Sequence, residues 1–165
     1  MPAINALKKP MKALHELGAI GVTGSFATCL ILFMTAPRNS LNAYAVTCQA
    51  IATIAQWLLV PSLALVLVTG LLAMILNSVY LEAGWAWLKA LLGIGIFEGT
   101  LQTVVAGARR AAELSVLATS GHGDPAQLSQ VLRAESNGLK LLLLLCLVNI
   151  VLGIWRPNFN LTVPD

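Results

Sequence analysis

Three ionisable side chains lie inside long apolar stretches of this chain: His15, Lys89 and Glu98. An ionisable group at the centre of a bilayer costs about 2.5–3.5 kcal/mol on insertion scales, so each one asks for a role that repays it. An imidazole can ligate a metal, an ammonium can hold an acidic ligand, and a carboxyl can relay a proton, bind a cation or hydrogen-bond between helices. His15 comes about one helical turn inside the first apolar segment, and Lys89 about one turn inside the third. Alternate spans run in the same direction, so both residues reach one membrane face at similar depth and form a candidate site. On helical spacing His15 shares a stripe with Ala19, Val22, Phe26 and Cys29, and Lys89 shares one with Gly93, Ile96, Thr100 and Thr103. Each residue also has an ordinary reading. His15 can bond a headgroup or a backbone carbonyl, and Lys89 can snorkel to the interface between Trp85 and Trp87.

Glu98 falls near the middle of the third segment, beyond the reach of headgroups, with Gln102 one turn further along the same face. Its simplest role is an interhelical hydrogen bond, with Asn149 of the fourth segment as the expected partner; a proton relay or a cation ligand are the alternatives.

Other chemical templates fail. The sequence has no CxxC, no histidine pair at i, i+4, no glycine-rich phosphate loop after a strand, and no set of residues in which a nucleophile and its base share a locus. No catalytic residue can be assigned. Cys29, Cys48 and Cys146 lie in or beside apolar segments without paired spacing and read as small buried hydrophobes. With only His15 and His122 available, bis-histidine haem ligation within one chain is hard to build. His15 with Lys89, Met11 or Met74, or one His15 from each of two protomers, still supplies two ligands.

The elements that position these residues follow from composition. Of 165 residues, 58% are hydrophobic and 10% charged, and the mean hydropathy is +0.82. Soluble domains carry about a quarter charged residues, so a water-soluble fold is excluded. About 20 apolar residues cross a hydrocarbon core, and four segments qualify: spans of about 12–36, 46–76, 85–107 and 139–156, joined in one transmembrane domain over 1–165. The expected fold is an all-α, up-down-up-down bundle of four transmembrane helices with both termini on one side. The first apolar run is too long for the h-region of a cleaved leader and reads as a permanent helix.

Pro37-Arg38-Asn39-Ser40 should end the first helix, Pro61 should kink the second, and the short link from Asn77 to Gly84 favours antiparallel neighbours. A polar connection over 108–138 holds Arg109, Arg110, Glu113, His122, Asp124, Arg133 and Glu135, with helical extensions on both flanks of a turn at Gly121–Pro125. The net charge of +3 comes from basic residues at span ends, which act as headgroup anchors, and nucleic acid is not expected as a partner. Lys8, Lys9, Lys12 and Arg156 on one side balance Arg38, Arg109, Arg110, Arg133 and Lys140 on the other, so charge does not set the orientation. Small residues recur at Gly18, Gly21, Ser25 and Thr28 and at Gly95, Gly99, Thr103 and Gly107. Such ridges allow close helix packing, within the bundle or against a second copy or a larger membrane complex.

Lys12-Ala13-Leu14-His15, Trp85-Ala86-Trp87-Leu88-Lys89-Ala90-Leu91, and a fourth helix bounded by Glu135-Ser136-Asn137 and Arg156-Pro157 together resemble the HemJ/CopD group of small membrane proteins and its uncharacterised relatives. In the HemJ branch, associated with protoporphyrinogen oxidation, the histidine and lysine are tied to haem; the CopD branch is associated with copper. The resemblance implies a haem- or porphyrin-linked redox protein in a bacterial-type plasma membrane. In it His15 would be the axial and metal ligand to haem b, and Lys89 a second ligand or a propionate partner. Two other functions are expected in its place if that fails. One is a non-catalytic accessory subunit of a larger electron-transfer complex, in keeping with the sparse ionisable groups. The other is copper or cation handling through Cys29, Met34, Met74 and Glu98, although these residues do not share a depth.

Overall fold

In lipid every backbone N–H and C=O must be paired within the protein, and apolar segments of this length meet that demand as helices. The computed structural model describes residues 2–37, 40–120 and 125–156; Arg38, Asn39, residues 121–124 with His122 and Asp124, where a turn is expected, and Pro157 lie outside the described residues. The described chain is helical, without a strand: α1 (Pro2–Thr35), α2 (Leu41–Ile54), α3 (Val60–Ile75), the short α4 (Ser78–Leu81), α5 (Gly84–Gly99), α6 (Ala106–Thr119) and α7 (Pro125–Trp155). Wider π-helical turns at Ala55–Leu59 and Thr100–Val105 join α2 to α3 and α5 to α6, so four continuous rods result. Their apolar spans are Lys9–Thr35, Asn42–Ile75, Gly84–Ala118 and Gln130–Trp155, each long and apolar enough to cross a membrane. The chain is an all-α, four-span membrane protein.

Local chemistry explains the breaks. Ser40 caps α2 from an extended conformation, accepting a hydrogen bond from the Ala43 amide at 3.4 Å. Pro61 has no N–H to give, and the helix accommodates it with the π-helical turn immediately before it, where the Val60 amide reaches back five residues to Ala55. In the second connection the Trp87 indole donates to the Leu81 carbonyl at 2.9 Å and braces α4 against α5. Hydroxyls in the spans are satisfied locally: Thr23, Thr28 and Thr53 each donate to the carbonyl four residues back, which lets them face lipid.

The core runs down the middle of the bundle through Val22, Phe26, Cys29, Ile51, Leu59, Ile96, Val104 and Leu139. The stripe below His15 therefore points inward, as its spacing requires. Both small-residue ridges are used inside the molecule. A Cβ on Gly18 would lie 2.8 Å from Val66 Cγ2 and 3.1 Å from the Ser62 carbonyl, and one on Gly21 would meet Ser62, so α1 and α3 touch backbone to backbone. On the third span, Gly99 faces Leu142, Thr103 packs on Gly138 and Gly107 faces Glu135, all on α7. Most of both ridges is thus spent on packing within the molecule, whereas Gly95 of the third-span set opens on empty space and Thr28 of the first is exposed.

Twenty-two residues separate Trp87 from Arg109, about 33 Å of helix, which matches a hydrocarbon core of about 30 Å. Among the described residues of 108–138, Arg109, Arg110 and Glu113 lie on α6 and Arg133 and Glu135 on α7, the helical extensions expected on the two flanks. At that end Arg109 of α6 donates to Gln56 at 2.6 Å and ties span three to the π-helical turn of span two, while Tyr44, Cys48 and Ala111 form a second small core.

Candidate functional site

The antiparallel packing of spans one and two sets Gly18 against Val66 and Gly21 against Ser62, and the same register carries His15 to Thr69 and Gly70. Spans three and four pair likewise, with Gly99 against Leu142 and Gly93 near Asn149, which brings Lys89 to Gly153. These two pairings meet at the end of the bundle where span one begins and span four finishes. They enclose a cavity of about 570 Å³ lined by His15, Lys89, Met11, Met74, Tyr80, Trp85 and Arg156, among others.

His15 is half-buried, and its Nδ1 lies 2.9 Å from the Thr69 hydroxyl. Thr69, 5% exposed, already donates its proton along α3, with Leu65 O at 2.6 Å and Val66 O at 3.2 Å. A hydroxyl has one proton; with that proton on the closer Leu65 carbonyl, the Thr69 oxygen accepts from His15 and Nδ1 carries the hydrogen. The neutral ring then bears its lone pair on Nε2. That is the tautomer a metal-ligating histidine takes when a second group holds its other nitrogen. Gly70 lies beside the ring, and a Cβ there would sit in ordinary van der Waals contact, 3.5 Å from Cε1.

Lys89 reaches inward and lies against Gly153, where any side chain would collide with the ammonium. Among the described residues Nζ has neither a hydrogen-bond acceptor nor a carboxylate partner. Asn149 donates to the Lys89 carbonyl at 3.2 Å, which orients this stretch of α5. The residue is thus a wall of the cavity rather than a headgroup anchor between two tryptophans: Trp87 is occupied with Leu81, and Trp85 stacks edge-on with Tyr80 at 5.7 Å. Arg156 lies over the Trp85 ring at 5.7 Å and has φ of 42°, the left-handed conformation that glycine usually takes just past a helix end. Of the charged residues at the cavity, Lys12 and Glu16 pair with each other at 3.7 Å, whereas Lys89 and Arg156 have no carboxylate partner among the described residues. The lining is largely apolar with an unpaired positive charge, which suits an apolar ligand that ends in an acid.

The remaining sequence candidates separate from this site. Glu98 is exposed, and its partner is Gln102 on its own helix, whose amide donates at 2.5 Å; Asn149 is not at its level, because the register sets Asn149 beside Gly93. Cys29 is buried in the core, Met34 is 72% exposed and Met74 lines the cavity, so the residues considered for copper are dispersed. Among the described residues, no cluster of three or more His, Cys, Asp or Glu side chains forms a metal cage. Sequence reasoning missed Thr69, Gly153 and the part played by Arg156. It also placed Glu135 in a polar connection, whereas its carboxyl is 3% exposed and Oε1 has no partner. Nothing in the sequence around Glu135 marks its burial; the open space beside Gly107 that admits it appears only once the helices pack.

No curated protein and no solved structure matches the chain. Residues 10–157 match the model of a family described as "Predicted integral membrane protein (DUF2269)", and the chain belongs to that family.

Proposed function

We propose that this multi-span protein binds a planar apolar ligand with acidic substituents in the cavity at the His15 end of the bundle, and that haem b is the ligand its residues fit. The observation that carries the reading is the 2.9 Å contact of His15 Nδ1 with the Thr69 hydroxyl in the cavity wall: with the Thr69 proton on the Leu65 carbonyl, Nδ1 donates and the Nε2 lone pair is left for a ligand. Lys89 and Arg156 supply unpaired positive charge for propionates, and Met11 or Met74, both in the same wall, provides a thioether within the site. A volume of about 570 Å³ lies within the roughly 300–1,000 Å³ that ligand sites span. Haem held in this way would give the chain a redox function, as the HemJ-like sequence features suggest, and on that resemblance a bacterial-type plasma membrane is its setting.

Titrating the purified chain in mild detergent with haem, and separately with the metal-free porphyrin, tests this. Both should bind saturably. Lys89→Met should weaken both, because it removes a charge, whereas His15→Ala should weaken haem alone, because it removes a ligand to iron. Equal loss of both ligands in His15→Ala would mean that the imidazole only shapes the cavity, and absence of saturable binding would overturn the reading.

A further inference from the structure

We infer that the outer face of the third span, built from Gly95, Glu98 and Gln102, is the contact through which two copies of this chain pair in the membrane. Glu98 stands midway between Trp87 and Arg109, eleven residues from each and about 16 Å from either along the axis, so no headgroup or bulk water reaches it. It is nevertheless exposed, as are Gln102, Gly95 and the neighbouring Leu91 and Ile94. A carboxyl and a carboxamide facing acyl chains at this depth are costly, and the single internal bond from Gln102 Nε2 to Glu98 Oε1 satisfies only part of them. Gln102 keeps a second N–H and its carbonyl oxygen, and Glu98 keeps Oε2, with no other partner among the described residues.

The leftover groups select the occupant. The face carries one spare donor and spare acceptors, drawn together at one level by the internal bond, so it is complementary to itself. A two-fold axis along the membrane normal sets the Gln102 amide of one copy against the Glu98 carboxyl of the other, twice. Gly95, one turn away, has nothing within 4 Å of its Cβ position and lets the two backbones approach. Gly99, Thr103 and Gly107 of the span already pack on α7, and Gly93 lies between Leu67 and Asn149, whereas nothing within the monomer packs on Gly95.

The test uses the full chain in lipid vesicles, its dimer fraction read by single-molecule photobleaching while protein is diluted into lipid. Wild type should show two-step bleaching that falls with dilution. Gly95→Leu fills open space in the monomer and should leave its thermal unfolding unchanged, yet both it and Gln102→Leu should raise the dissociation constant about tenfold or more. Gly24→Leu, at an equally open glycine on the outer face of α1, should change nothing. One-step bleaching at every density, a dimer indifferent to Gly95→Leu and Gln102→Leu, or recovery from native membranes at one copy beside a different polypeptide would each overturn the inference.

Discussion

His15 and Thr69 are joined across the first two spans by a 2.9 Å hydrogen bond, and the Thr69 hydroxyl also bonds the α3 backbone at Leu65 O, 2.6 Å away, which leaves its oxygen to accept from Nδ1 in the proposed site. One threonine thereby decides which nitrogen of the imidazole is available to a ligand. Thr69→Val keeps the shape of the side chain and removes the acceptor. It should lower haem affinity about 10- to 100-fold, the range measured when a ligating histidine loses its supporting partner, and change stability little. Haem titration beside a thermal melt checks both parts; an affinity equal to wild type would show that the bond does not orient the ring for a ligand.

Arg156 holds a left-handed conformation at the end of α7, which costs a residue other than glycine roughly 1–2 kcal/mol. An outlier of this kind at a cavity wall points to a role for the side chain. Arg156→Gly should raise the unfolding midpoint in detergent while weakening an acidic porphyrin. Loss of stability together with unchanged ligand binding would assign Arg156 to packing on Trp85 alone.

The α1–α3 contact should be the least tolerant part of the fold. Gly18→Leu drives a side chain into Val66 and the Ser62 carbonyl, where backbone cannot yield, and should destabilise by about 1–3 kcal/mol or more. The same change at Gly24 enters open space and should be close to neutral. Melting the two variants side by side decides between backbone crowding and a general intolerance of large residues on α1.

Much of this architecture is legible in the sequence because lipid allows few alternatives. Apolar length sets the number of helices, and direction alone puts His15 and Lys89 at one end. Register is less visible. Asn149 looks like a mid-depth partner for Glu98 until Gly99 against Leu142 fixes the offset and sends it to the Lys89 carbonyl. Thr69 is one hydroxyl among many in the spans, and only its position opposite His15 gives it a task. The glycine ridges announce close packing without saying which neighbour they meet. Glu135 shows the reverse failure, since a charged residue in a polar stretch carries no mark of the interior space that Gly107 leaves for it.

Glu135 also yields a test of its own. A buried carboxyl oxygen without a partner costs about 1–3 kcal/mol or more in lost solvation. Glu135→Leu has similar bulk and should raise the unfolding midpoint. A lower midpoint would indicate that the carboxyl meets a proton, cation or water that holds α7 against α6.

The central claim is that His15 presents Nε2 to an iron held in the cavity. The most direct measurement is the absorption spectrum of the chain expressed with a haem supply and purified in mild detergent, recorded oxidised and then after dithionite. The account predicts a Soret band that shifts on reduction, disappears in His15→Ala and survives in Glu98→Leu. A spectrum without a Soret band, or a band of unchanged position and intensity in His15→Ala, would contradict it.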